Sequence, residues 1–224
     1  MDLPFDRFRL AASTADLSAE PAARDHADIV EFRMDLAADP EAQLAAYDGD
    51  LPLLVTNRPT WEGGDCEAPE EERLEALVAA ARSPAVVAAD VELDTLRESA
   101  GVADELRDTG VTVVASTHDF EGTPPKERLD ELHADAAGRG DVGKLAVTAE
   151  NRADTLALLA ATHEATEAGL SVATMAMGAA GSHTRAVAPL YGSKIGYAPV
   201  DAADATAPGQ YDLATLSSLV STLE

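Results

Sequence analysis

The feature that most restricts the fold of this chain is a repeated alternation. Short apolar runs rich in β-branched residues are separated by longer stretches with helical spacing. Strands are predicted near residues 8–12, 28–34, 51–57, 86–93, 111–117, 142–147, 171–176 and 193–198. The runs Val-Val-Ala-Ala-Asp-Val-Glu-Leu at 86–93 and Val-Thr-Val-Val-Ala-Ser-Thr at 111–117 are the clearest. Eight strand–helix units in 224 residues fit one closed parallel barrel, a (β/α)8 or TIM barrel forming a single α/β domain over residues 1–224. The alternative is a doubly wound open sheet, but no glycine-rich dinucleotide fingerprint follows the first strand.

The intervening helices carry their own signals. Pro69 stands at a first helical turn, followed by Glu70, Glu71 and Glu72, then Leu74, Leu77, Val78 and Ala81 at helical spacing. Asn151 is a good N-cap, with Leu156, Leu159 and Ala160 expected on one face behind it. The last helix is expected to carry Leu213, Leu216, Leu219, Val220 and Leu223 on one stripe. The stretch 200–207 reads as a loop.

Hydrophobic residues make up 46% of the chain but aromatics only 4%, so Val, Leu and Ala must build the core. The formal net charge is −25, which disfavours nucleic acid and anionic membrane surfaces as partners. The only lysines are Lys126, Lys144 and Lys194. An acidic, lysine-poor, alanine-rich composition suits a halophilic protein. At 1 M salt the Debye length is roughly 3 Å, which makes such self-repulsion tolerable. Without a leader-like N-terminal segment or an apolar run of membrane-spanning length, a cytoplasmic location is expected. Cys66 is the one cysteine, which leaves no internal disulfide and no cysteine-based metal cage.

Side chains alternate across a strand, so residues two apart share a face. Val30, Phe32 and Met34 suit packing under helices, which points Ile29, Glu31 and Arg33 into the barrel. On the third strand Leu53 and Val55 face out, while Leu54, Thr56 and Arg58 face in. On the fourth, Val87, Ala89, Val91 and Leu93 are expected outside and Asp90 and Glu92 inside. The fifth turns Ser116 and His118 inward, and the sixth Lys144 and Ala146. Each unpaired buried ion costs several kcal/mol, so these groups must pair or meet a ligand. Any one alone reads as an ordinary ion pair or a structural histidine. Five strands aiming such groups at one interior, near their C-terminal ends, mark a site.

Lys144 is the most informative member. A neutral amine attacks a ketone and forms an iminium, which acidifies the neighbouring C–H. His118, one strand away, can take that proton. Neighbouring arginines favour the neutral amine and Asp90 and Glu92 oppose it, so the balance stays open. No His-x-x-x-His pair or dense ligand cluster occurs, and neither a metal nor a cofactor is expected.

The ordered motifs resemble those of type I 3-dehydroquinate dehydratases, in a halophilic archaeal form. They run from Glu31-Phe32-Arg33-Met34-Asp35 through Thr56-Asn57-Arg58 and Glu62-Gly63-Gly64 to Asp90-Val91-Glu92. Ser116-Thr117-His118-Asp119-Phe120, Thr123-Pro124 and Gly143-Lys144-Leu145-Ala146-Val147 follow. Met175-Ala176-Met177, Thr184-Arg185 and Ala207-Pro208-Gly209-Gln210 close the set. The resemblance implies syn dehydration of 3-dehydroquinate to 3-dehydroshikimate, in the shikimate pathway of aromatic amino acid biosynthesis. It implies Lys144 as Schiff-base nucleophile, His118 as proton carrier and Glu62 as the residue that orients it. Arg185 would hold the substrate carboxylate, and Glu31, Arg33, Arg58, Thr206 and Gln210 would contact substrate. It also implies a homodimer.

Two positions depart from the family pattern. Thr206 stands where serine is usual and keeps the hydroxyl. Ser13 stands nearest the place of a substrate-contacting serine on the first strand. Met175 and Met177 fit barrel packing on general grounds and pocket lining by resemblance. Spacing leaves open whether Glu62 or Glu92 partners His118. Two other readings are an aldolase-type Schiff-base barrel, with Gly178-Ala179-Ala180-Gly181 as a phosphate-binding turn, and a non-catalytic barrel scaffold.

Overall fold

Side-chain alternation along the eight runs becomes two packed layers. The computed structural model describes residues 3–99, 101–200 and 209–223. The strands are β1 (Arg9–Thr14), β2 (Ile29–Arg33), β3 (Leu53–Thr56), β4 (Val86–Glu92), β5 (Thr112–Asp119), β6 (Val142–Thr148), β7 (Val172–Met177) and β8 (Ile195–Pro199). Each falls within two residues of its expected place. The helices are α1 (Pro40–Ala46), α2 (Glu70–Ala81), α3 (Leu93–Glu98), α4 (Gly101–Asp108), α5 (Lys126–Arg139), α6 (Arg152–Glu167), α7 (Gly178–Gly181), α8 (Thr184–Val187) and α9 (Leu213–Leu223).

Parallel ladders join the strands in the order β7-β6-β5-β4-β3-β2-β1-β8. The two ends of that series meet. The Lys194 N–H donates to the Val172 carbonyl at 2.7 Å, and the Thr174 N–H donates to Ser193 Oγ at 3.0 Å. A doubly wound sheet would hold its end strands apart, so the barrel reading stands. Val30, Phe32, Leu53, Val55, Val113, Leu145 and Val147 pack in the outer layer. Ile29, Leu54, Val114, Ala146 and Tyr197 fill the interior.

Three expectations need correction. Val87 packs in the interior with Ala88, not under the helices. The β3–β4 register explains this: Leu53 pairs with Val86 but Leu54 with Ala88, so Val87 is the extra residue of a bulge. Alternation then resumes, and Asp90 and Glu92 still point inward and are fully buried.

On α6 the Asn151 cap forms, with Asp154 completing a capping box. The buried face, however, is Thr155, Leu158, Leu159, Ala161, Thr162 and Ala165; Leu156 is exposed and Ala160 half-buried. Leucines and alanines fall on more than one side of this helix, so their periodicity alone does not pick its face. Thr162 fixes it, 2.9 Å from Thr174 of β7. On α9 only Leu213, Leu216 and Val220 of the expected stripe are buried. At about 100° per residue, Leu219 and Leu223 fall at the stripe's margin and meet solvent.

Candidate active site

The C-terminal ends of the strands surround a cavity of about 370 Å³. Lys144, His118, Glu62, Glu31, Arg33, Arg58, Arg185 and Gln210 all border it, as do Ser13, Met175 and Met177. Thr206, the remaining expected contact, lies outside the described residues.

Below the cavity lies a charged lattice. Arg58 donates to Glu92 Oε1 at 2.6 Å, to Ser116 Oγ at 2.7 Å and to Asp90 Oδ1 at 2.7 Å. Lys144 Nζ donates to Asp90 Oδ2 at 2.9 Å. The Tyr197 ring also lies against it, with the centroid 4.3 Å away. Burial alone would raise the Asp90 carboxyl, but Arg58 and Lys144 outweigh it and hold Asp90 well below the usual range. Burial pushes Glu92 up against the pull of Arg58 and Arg73. Arg73 of α2 lies 2.8 Å from Glu92 Oε2, so a helix outside the barrel braces the lattice through its wall.

Glu62, not Glu92, partners His118. One Glu62 oxygen accepts the His118 backbone N–H at 2.8 Å and lies 3.1 Å from Nδ1. Glu62 ends a short turn, Thr60–Glu62, that Gly63 closes at φ 76°. A Cβ on Gly64 would lie 2.1 Å from the Arg58 carbonyl oxygen, so only glycine lets this loop fold against the strand end. Burial, together with Arg58 and Lys144, keeps the His118 imidazole well below 6.5 and hence neutral. With Nδ1–H directed at Glu62, Nε2 keeps its lone pair. Burial pushes Glu62 up to about 7, with Arg58 opposing and Glu92 adding.

Arg185 differs from every other buried cation here. It is 4% exposed, and its Nε has no hydrogen-bond partner. No carboxylate lies within ion-pair distance among the described residues. Burial depresses it to about 10. An unmatched guanidinium on a cavity wall is a seat for a carboxylate. Arg33, by contrast, grips Asp35 through two bonds of 2.8 and 2.6 Å. Glu31 accepts hydroxyls from Ser13 at 2.5 Å and Thr56 at 3.0 Å. Sequence reasoning placed Asp90 and Ser116 inside and weighed Asp90 in the charge balance at Lys144, but it named neither as a site residue and it passed over Tyr197. Period-two counting along β8 was the signal, since Ile195 and Tyr197 share the inner face.

Fold and site together define a parallel barrel with an enzyme-like cavity at the C-terminal ends of its strands, lined by an inward lysine, a neutral histidine and an unmatched arginine. A model of the type I 3-dehydroquinase family matches residues 11–224. The chain belongs to that family, which sets the aldolase and scaffold readings aside. It is 58% identical to the 3-dehydroquinate dehydratase of Haloarcula marismortui, over 99% of both chains. It is 56% identical to that of Haloquadratum walsbyi, over 98% of this chain and 94% of the other. The acidic, lysine-poor composition fits these halophilic relatives. The solved 3-dehydroquinate dehydratase of Geobacillus kaustophilus superposes with a TM-score of 0.87 at 32% identity, covering 97% of this chain and 91% of that one.

Proposed function

We propose that this chain dehydrates 3-dehydroquinate to 3-dehydroshikimate, with Lys144 as the Schiff-base nucleophile. The observation that carries the assignment is one cavity holding Lys144, a neutral His118 and the unmatched Arg185. Arg185 takes the substrate carboxylate. The Lys144 amine adds to the C3 ketone; the carbonyl oxygen leaves as water and a C=N bond forms. The iminium acidifies C2, and His118 Nε2 takes the C2 proton while Glu62 holds the ring. The enamine then expels the C1 hydroxyl, which the His118 imidazolium protonates, so water leaves from the face that lost the proton. Hydrolysis of the product iminium frees Lys144. Glu31, Arg33, Arg58, Thr206 and Gln210 contact the ring substituents.

The same proposal extends to a single catalytic domain over residues 1–224, working in the cytoplasm as a homodimer. Exposed Leu156, Leu190 and Tyr191 supply apolar surface for pairing. No described helix is long and apolar enough to cross a membrane. Light scattering in molar salt reads the oligomer directly.

Borohydride reduction with 3-dehydroquinate in high-salt buffer tests the chemistry. Mass spectrometry should find the adduct on Lys144 alone. Lys126 is held by Asp130 and Glu164, and Lys194 by the Asp6 carbonyl. Full activity in Lys144→Ala would sink the mechanism. His118→Ala should still form the imine but turn over about 10²–10⁴-fold more slowly.

A further inference from the structure

Tyr197 is buried at 4% exposure, yet its hydroxyl has no hydrogen-bond partner among the described residues. Its ring is the part that is engaged, with Lys144 Nζ 4.3 Å from the centroid. Interior space for the ring comes from small neighbours: Ala11 pairs with Tyr197 in register, and Ala146 and Ala173 share the interior layer. An aromatic face attracts a cation through its quadrupole, and more strongly where water is excluded. Nζ is thus held between a π face and the Asp90 carboxylate at 2.9 Å. Asp90 is shared with Arg58 and Ser116 and cannot follow charge away from Nζ.

Condensation of a protonated amine with a ketone gives an iminium and one water, so the positive charge is conserved. It changes shape, however. The ammonium has three N–H donors and a compact charge, whereas the iminium has one N–H and a planar charge spread onto carbon. A carboxylate serves the first form; a ring face serves the second. We propose that the Tyr197 ring is a positioning residue that seats Lys144 and stabilises the planar iminium, with its hydroxyl taking no part. This inference rests on the Schiff-base reading above.

The test compares Tyr197→Phe, Tyr197→Leu and replacement of Tyr197 by pentafluorophenylalanine, which keeps the ring's shape but inverts its quadrupole. Each is assayed for borohydride trapping with 3-dehydroquinate and for thermal melting. Tyr197→Phe should trap within about twofold of wild type and melt no lower, since it removes only an unpartnered hydroxyl. Tyr197→Leu and the fluorinated ring should trap about tenfold less. If Tyr197→Leu does not fold, the fluorinated ring alone decides. Trapping at the wild-type level with the inverted quadrupole overturns the proposal, as does a loss in Tyr197→Phe equal to that in Tyr197→Leu. Failure of the wild type itself to trap at Lys144 would instead remove the functional reading.

Discussion

His133 offers a clean test of how this protein responds to acid. It lies on α5, is fully buried, and neither ring nitrogen has a hydrogen-bond partner among the described residues. Burial depresses its imidazole from 6.5 to about 4, with Asp130 opposing. In the unfolded chain the ring takes a proton as the pH falls through 6.5; in the fold it stays neutral until about 4. The unfolded state therefore binds more protons across that window, and stability is lost as the pH falls through it. One proton bound only by the unfolded chain costs the fold about 1.4 kcal/mol for each drop of one in pH. The loss is then about 2 kcal/mol at pH 5 and about 3 kcal/mol at pH 4. Urea melts in molar salt at pH 7, 5 and 4 should be run on wild type and His133→Leu. The carboxylates titrate in both proteins and cancel in the difference. The variant should match or exceed wild type at pH 7 and gain on it by these amounts as the pH falls. A difference independent of pH would refute the reasoning.

Two further outcomes concern the cavity. Arg185→Ala should raise KM about 10- to 100-fold, the worth of a charged hydrogen-bonded contact, while leaving the melting temperature unchanged or higher, because it removes an unmatched buried charge; Arg185→Lys should recover only part of the affinity. The Glu62 carboxyl at about 7 must be ionised to hold His118, so kcat/KM should fall on the acid side with a limb near pH 7. That limb belongs to the Glu62–His118 pair, and Glu62→Gln should flatten it and lower the plateau, as a pH–rate profile will show.

Period-two alternation placed Glu31, Arg33, Arg58, Asp90, His118 and Lys144 on one interior, because a buried parallel strand leaves its side chains no third direction. Local pattern failed where a neighbour decides the geometry. Val87 is turned inward by the pairing of β3 with β4, which β4 alone does not encode. Leu156 and Leu219 belong to helices apolar on more than one side, where docking fixes the face. The Lys144–Asp90 contact spans two strands across Ser116, and depends on registers set all round the barrel. Glu62 reaches His118 only because Gly63 and Gly64 let its loop fold back. The isolation of Arg185 is a property of what surrounds it in space, and no run of residues displays that.

The join between β7 and β8 has a mechanical meaning. Seven parallel ladders bind the other neighbours, while these two strands are fastened at their N-terminal ends through Lys194 and Ser193. The barrel is a hoop with a clasp, and the clasp sits at the end away from the cavity. Met175 and Met177 lie on one side of it and Tyr197 on the other, so the cavity wall can widen there without breaking a ladder. Opening of the hoop is therefore expected along this line, and backbone amides beside it should be among the first in the barrel to exchange with solvent.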